Sequence, residues 1–250
     1  MKILKPVSRA AGIILTWVFL MSSVSNPASA DKTTVADKPA GEAALTLVEG
    51  MASLLDKDGK PIRPLVKGER YGSGDRIRTG NKARLSFRLQ DGSRIRFSEL
   101  TVFEFISLNA TERPRERDIR IRLLSGNAWV NASAPYTGKG SLGILVPKAA
   151  AKTTQSISRF TVFPDNATLL KVYQGYLEIQ NLQPDAADSP SGKSARPLKK
   201  KDFWNHLINP MYQIYVRSNG TATNPFRFMV KADEDDWIQW NRAQDAKIGK

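Results

Sequence analysis

The sequence of 250 residues contains no cysteine and a single histidine, His206. Without cysteine the chain has no disulfide bond, no thiolate nucleophile and no lipid anchor on a cysteine side chain. The same two shortages leave few soft ligands for a transition metal. A glycine-rich phosphate loop and a dinucleotide fingerprint are also missing from the sequence. These absences exclude most nucleophilic, metal-dependent and nucleotide-dependent enzymes.

Catalysis by a serine triad would have to use His206, and the chain lacks the Gly-x-Ser-x-Gly context of such serines. A catalytic pair of carboxylates stays open, because the sequence does not show which acids lie close in space. We therefore expect no catalytic residue, no cofactor and no metal, and we expect that the protein is not an enzyme.

Long apolar runs are scarce as well, and the one that exists is Ala10–Val24. Lys2, Lys5 and Arg9 precede this run, and Ala28-Ser29-Ala30 follows it, which is the arrangement of a secretory signal. The run is shorter than the roughly 20 apolar residues of a membrane-spanning helix. Cleavage after Ala30 is the favoured prediction, and retention as a membrane anchor is the alternative. A cleaved chain would be periplasmic or secreted, with membrane contact at most peripheral.

Basic residues are in excess, with 38 Lys+Arg against 24 Asp+Glu and a net charge of +14. Removal of residues 1–30 takes away three basic residues and no acidic ones, which leaves a net charge of +11. This balance predicts anionic neighbours such as membrane headgroups, lipopolysaccharide, acidic glycans or an acidic protein. Nucleic acid is not an expected partner, because an exported protein does not meet it and no nucleic-acid motif is present.

Alternating side chains give the strongest structural signal. Apolar residues alternate with polar ones on both sides of Asp91-Gly92, a typical hairpin turn. Alternation with period two predicts strands with one buried face, and similar short segments recur from Leu45 to Ile179. We predict an all-β domain whose interior contains Leu85, Phe87, Leu89, Ile95, Phe97, Ile119, Ile121, Leu123, Val172, Leu177 and Ile179.

The segment Gly74–Phe97 resembles the FecR-like domain, whose members lie on the outer side of the bacterial inner membrane. Leu123–Val130, Val146–Ala149 and Val172–Ile179 are similar to later segments of that family. The resemblance implies parallel, coiled β-layers, so we expect a solenoid-like or two-layer β-stack. Where the family has Arg-Gly-Thr, this chain has Ser156-Ile157-Ser158, so contacts made by that tripeptide in relatives are not carried over.

The regulator that names the family has a cytoplasmic anti-sigma segment, a membrane span and a periplasmic sensor. Only residues 1–9 precede the apolar run here, so we expect a stand-alone exported member that lacks the anti-sigma segment. The resemblance implies a cell-envelope sensor or scaffold that acts through contacts with an envelope protein.

Composition divides the chain into five expected segments. A polar leader follows the signal, and a proline-rich stretch ending in Lys199-Lys200-Lys201 predicts a linker. The expected segments are a signal peptide at 1–30, a flexible leader at 31–44, a FecR-like β domain at 45–182, a linker at 183–201 and a C-terminal β/helix appendage at 202–250.

The C-terminal end has the charge pattern of a short helix. Four acids at Asp233–Asp236 precede Trp237 and Trp240, and basic residues follow, which matches the helix dipole. We predict a helix that begins near Asp235 and docks through the two tryptophans. A cation site in the acidic run is the weaker interpretation, because no Ca²⁺-loop spacing follows it.

Arginines occupy the polar positions of several predicted strands, two or four residues apart. If these strands are neighbours, their guanidinium groups share one face that can bind carboxylate or phosphate groups. An ordinary solvated sheet surface is the competing interpretation. The face gives an alternative function, which is binding of an anionic envelope polymer, either lipopolysaccharide or an acidic glycan. The candidate residues are Arg76, Arg78, Arg84, Arg88, Arg94, Arg96, Arg120 and Arg122.

Overall fold

The computed structural model describes residues 41–112, 115–132, 137–182 and 203–248. The predicted signal peptide and linker lie outside these ranges. No helix within them is both long and apolar enough to cross a membrane. The strands are β1 Glu42–Glu49, β2 Ala52–Leu55, β3 Pro61–Pro64, β4 Arg70–Gly72, β5 Arg76–Thr79, β6 Arg84–Leu89, β7 Arg94–Phe97, β8 Val102–Glu112, β9 Arg115–Asn131, β10 Lys139–Val146, β11 Ala149–Thr153, β12 Ser156–Val162, β13 Thr168–Gly175, β14 Leu177–Asn181, β15 Asn205–Ile208, β16 Tyr212–Val216 and β17 Phe226–Arg227. A 3-10 turn at Val230–Asp233 precedes helix α1, Asp236–Ala246.

The strands form two sheets joined by the long strand β9. Sheet A has the order β4-β1-β6-β7-β9-β12-β13-β16-β17, and sheet B has the order β3-β2-β5-β8-β9-β10-β11-β14-β15. Gly126 lies where β9 passes from one sheet to the other, and its φ is 87°. A Cβ there would lie 2.3 Å from Thr101 Oγ1, so no other residue fits this bend without rearrangement.

Pairing between the described strands is antiparallel, with the single exception of β9 and β10. The parallel layers that the family resemblance implied are therefore confined to that pair. Tight turns such as Asp91-Gly92 connect consecutive strands, and a tight turn can join only antiparallel neighbours. Of the two expected all-β architectures, the two-layer stack describes this chain.

The hydrophobic core lies between the two sheets, and every residue predicted to fill the interior is buried there. Aromatic rings fill its centre, where Phe97 and Phe103 stack with their ring centroids 3.5 Å apart. The assignment of the strand faces from alternation is confirmed.

The first strand begins earlier than the predicted limit of the β domain. Glu42–Ala44 belongs to β1 and pairs with β4, so this part of the expected leader is strand. Strands β15 and β16 pair with β14 and β13, and the C-terminal segment therefore extends both sheets. These pairings join residues distant in sequence, which is why composition alone placed the limits differently.

Helix α1 begins at Asp236, close to the predicted start. The carboxylate of Asp235 accepts a hydrogen bond from Ile238 N at 2.8 Å and caps the helix. Trp237 and Ile238 are buried against Trp129 of β9, and Trp240 stacks on Trp237. The predicted docking through the two tryptophans is confirmed, and the surface that receives them is the outer face of sheet A.

Candidate functional site

The eight candidate arginines do not share one face. The chain crosses from sheet B to sheet A between β5 and β6 and returns to sheet B at β8, so the eight arginines are divided between the two sheets. This crossing corrects the expectation that up to eight guanidinium groups lie together. The sheet A set is Arg84, Arg88, Arg94 and Arg96, and the sheet B set is Arg76, Arg78, Arg120 and Arg122.

Arg96 lies beneath helix α1 instead of facing solvent. Its side chain is only 2% exposed, and its guanidinium contacts Asp245 Oδ1 at 2.7 Å. The other oxygen of Asp245 accepts a hydrogen bond from Trp129 Nε1 at 2.9 Å, and Asn241 Oδ1 lies 3.3 Å from Arg96. A buried charge of this kind requires its partner, so Arg96 is a docking residue for the helix.

The neighbouring arginines support the same contact. The guanidinium of Arg84 lies over the ring of Trp240, 5.3 Å from its centroid. Partial burial lowers the pKa of Arg94, and the charges of Arg88 and Arg96 lower it further. Of the sheet A set, Arg88 alone is exposed.

Further cations on sheet A bind the acidic run that precedes the helix. Arg159 contacts Asp235 at 3.0 Å, and Lys171 pairs with Asp233. The hydroxyl of Tyr173 donates to Asp233 at 2.5 Å, and burial, followed by this hydrogen bond, raises the pKa of Tyr173. Asp233 and Asp235 therefore neutralise cations of the sheet. Sequence reasoning did not find these partners, because they lie on strands far from the acids in the chain.

The sheet B arginines lie on the outer face, and three of the four are matched by acids. Arg76 and Arg122 both contact Glu104, at 3.3 and 3.6 Å. Arg120 pairs with Asp118 at 2.9 Å, and both side chains are 53% exposed. Arg78 is exposed and donates to the carbonyl of Gly59. This arrangement agrees with a solvated surface, and a binding role for these residues stays a prediction.

A second buried ion pair lies at the Asp91-Gly92 turn and was not predicted. Arg117 contacts Asp91 at 2.6 Å, and the two side chains are 2% and 1% exposed. Arg117 also donates to the carbonyl oxygens of Thr153 and Thr154. These contacts connect the β6–β7 hairpin to the β11–β12 connection, so Arg117 and Asp91 have a structural role.

His206 lies on β15 beside Trp204, with the two rings stacked 5.7 Å apart. No group of three or more histidine and acidic side chains in the described ranges is arranged to hold a metal ion. Asp233–Asp236, the weaker cation candidate, directs two of its carboxylates to protein cations, as described above.

Comparison with known proteins finds similar solved structures and a matching family model. Two crystal structures of a protein provisionally assigned as an anti-sigma factor, from Parabacteroides distasonis, are similar to this chain. They are 17% and 18% identical to it, with TM-scores of 0.43 and 0.42. Each alignment covers 61% of this chain, which spans 59% of the length of the solved chains. No curated protein matches the sequence. The family model described as FecR protein matches residues 75–178, so the chain contains a FecR-like domain over β5 to β14.

Proposed function

We propose that the protein is a non-enzymatic sensor or scaffold of the cell envelope that acts through contact with another protein. The FecR-like domain at residues 75–178 supports a regulatory role. The single structural observation that carries the proposal is the difference between the two sheets. Helix α1 covers the outer face of sheet A, whereas the described residues leave the outer face of sheet B open.

The open face has the composition of an interface rim. Its exposed arginines alternate with acids, and arginine is enriched where proteins bind one another. Arg78 and Arg120 are the exposed members of the sheet B set, so they can contact a partner without loss of the core. Arg88 is also exposed, on sheet A, and serves as the control.

A pull-down from envelope extract tests the proposal. The full chain and the Arg88→Ser variant should retain one discrete protein partner, whereas the Arg78→Ser/Arg120→Ser double variant should lose it. Arg96 is unsuitable for this test, because its buried guanidinium supports the fold. The proposal fails if no protein is recovered, or if the double variant retains the partner as well as the full chain does.

Salt dependence separates this function from binding of an anionic polymer. Contacts between clustered arginines and a polyanion weaken steeply with added salt, because exposed charges are screened beyond about 10 Å at 0.1 M. A packed protein interface responds less. Recovery of a polysaccharide at low salt alone, with loss in the double variant, would assign the polymer function instead.

A further inference from the structure

The open face of sheet B contains a groove that the fold does not explain. One part has a volume of about 210 Å³ and runs across β9, β10, β11 and β14. A second part, of about 360 Å³, continues it towards Tyr176 and Leu207. Ser141, Lys152 and Glu178 line both parts, so the two form one continuous groove.

Gly143 forms the floor of this groove. It lies in the middle of β10, in register with Arg120 on one side and Lys152 on the other. Neighbouring strands are about 4.8 Å apart, so the backbones of Arg120 and Lys152 are separated by roughly 10 Å with no side chain between them. Gly143 therefore leaves a gap between the two cationic side chains, and Arg120 Cγ borders it, 3.5 Å from where a Cβ on Gly143 would lie.

The backbone does not require glycine at this position. The φ of Gly143 is not positive, unlike those of Gly126, Gly140 and Gly175. A Cβ on Gly143 would lie 3.5 Å from Arg120 Cγ and 3.6 Å from Ile119 O, which is ordinary van der Waals contact. Glycine inside a strand lowers stability and often marks close approach of a ligand. The missing side chain at Gly143 forms part of the groove floor.

The walls of the groove offer both donors and acceptors. Asp118 pairs with Arg120, and Lys152 pairs with Glu178, each at 2.9 Å. The four side chains are 53–60% exposed, so these ion pairs are weak and reorganise around a ligand at small cost. Two amide side chains, Gln180 and Asn205, complete the lining.

This donor–acceptor set selects the chemistry of the ligand. The charges of the two pairs cancel, so neither a phosphate nor an ammonium group is favoured. Carboxylate, amide and guanidinium groups together satisfy hydroxyl groups, each of which donates and accepts a hydrogen bond. Tyr176, 59% exposed, and Leu207, 54% exposed, supply apolar contact at one end, which suits the C–H face of a sugar ring.

We propose that the groove binds a neutral oligosaccharide, with one sugar ring over Gly143 and the next against Tyr176. The groove lies on the same open face as the proposed protein contact and shares Arg120 with it, and it would give an envelope sensor a direct ligand. The half-exposed ion pairs of the groove would form hydrogen bonds with sugar hydroxyl groups, and the groove would not act as an anion-binding face.

Replacement of Gly143 by valine tests the site without removing any polar group. The Gly143→Val side chain fills the floor, and a β-branched residue suits a strand, so the melting temperature should equal or exceed that of the unchanged chain. Gly72→Val is the matched control, because Gly72 lies in β4 with open space around the added side chain. The full chain is titrated by calorimetry with cellotriose, maltotriose and triacetylchitotriose, and with heparin and an acidic peptide as charged comparisons.

The expected result is binding of at least one trisaccharide with a dissociation constant of about 1 mM or tighter. Gly143→Val should weaken that binding at least tenfold, and Gly72→Val should leave it unchanged. Tyr176→Ala and Glu178→Ala, at exposed positions on the rim, should each weaken it several-fold, which keeps the test decisive if Gly143→Val misfolds.

Three results would overturn the proposal. The first is no binding of any of the three trisaccharides by the full chain. The second is equal binding by the full chain and by properly folded variants. The third is binding of heparin or of an acidic peptide alone, with loss in Gly143→Val, which would assign the groove to an anion or a peptide. The pull-down is independent of all three, so failure here leaves the proposed protein contact standing.

Discussion

Phe87 lies among the aromatic rings at the centre of the core. It is fully buried, and the rings of Tyr71, Phe97, Phe103 and Phe105 surround it at centroid distances of 5.2–6.1 Å. We expect Phe87→Ala to lower the free energy of unfolding by about 3–5 kcal/mol, because it leaves a cavity among rigid rings. Urea unfolding measures this cost. Ile62→Ala, at a 60% exposed position, is the control, and a near-neutral Phe87→Ala would mean that the strand faces are inverted.

The raised pKa of Tyr173 leads us to expect that the folded chain loses stability in alkaline solution. Burial is the main reason that its pKa is raised, so the folded chain keeps the phenol protonated at pH values where the unfolded chain ionises it. The stabilisation is therefore complete below about pH 10, the ordinary pKa of tyrosine, and is lost as the pH rises above it. Tyr71 also has a raised pKa and contributes in the same direction.

Unfolding of the full chain and of Tyr173→Phe between about pH 8 and pH 11 isolates this contribution. At pH 8 the variant should be less stable by about 1.5–3 kcal/mol, because Asp233 loses a hydrogen bond from the phenol. The difference should shrink towards pH 11. A difference that is constant across this range would contradict the assignment.

The alternation of apolar and polar residues predicted the interior residues correctly, but it did not predict which polar residues are buried. Phe87, Ile95 and Phe97 face the core because alternation is a property of the strand itself. Arg94 and Arg96 occupy equivalent positions in that pattern, yet Arg96 is buried. What covers Arg96 is a helix 145 residues away in the chain, and no local signal on β7 reports it.

At the scale of elements, α1 depends on one carboxylate, that of Asp245, whose side chain is 15% exposed. Asp245 holds both Arg96 and Trp129, and its removal leaves a guanidinium buried without a partner. An unpaired buried charge costs about 3–5 kcal/mol, so in Asp245→Ala the helix should leave the sheet and let water reach Arg96. Hydrogen exchange should show loss of protection in α1 while β6 keeps its protection, and tryptophan fluorescence should shift to the red.

Two further variants separate charge from packing in this contact. Asp236→Ala, which removes an exposed acid from the first turn of the same helix, should leave the docking intact. Arg96→Met/Asp245→Leu should restore the protection of α1, because a buried ion pair can be replaced by apolar side chains of similar size. Unchanged protection in Asp245→Ala would show that the tryptophans alone hold the helix.

The division of the strands between two sheets was the part that sequence could not predict. Strands β5 and β6 have the same alternation, but β5 pairs with β2 and β8 whereas β6 pairs with β1 and β7. The pairing of each strand depends on contacts with residues distant in the sequence, and the alternation within a strand does not indicate which strand it pairs with. The groove at Gly143 could not be predicted for the same reason. It is recognised only when the strand register shows that Arg120 and Lys152 flank Gly143.

At the scale of the whole molecule, the excess basic residues fall into two groups, those paired with acids inside the protein and those exposed on its surface. Part of it is neutralised internally on sheet A, where Arg96, Arg159 and Lys171 bind acids of the C-terminal segment. The remainder lies on exposed surfaces, where it can hold the protein near anionic material without a specific site. A uniform arginine face is therefore unnecessary to explain the composition.

We propose export with cleavage between Ala30 and Asp31, because Ala28-Ser29-Ala30 follows an apolar run too short to span a membrane. Intact-mass measurement of the envelope fraction should find a chain that begins at Asp31. Ala28→Arg/Ala30→Arg should block processing, since the cleavage site requires small residues, and should accumulate the full-length chain in the membrane. A full-length species of the unmodified protein, held in the inner membrane, would establish the retained anchor instead. Cleavage leaves a net charge of +11, so the processed chain should be released from anionic envelope surfaces by added salt.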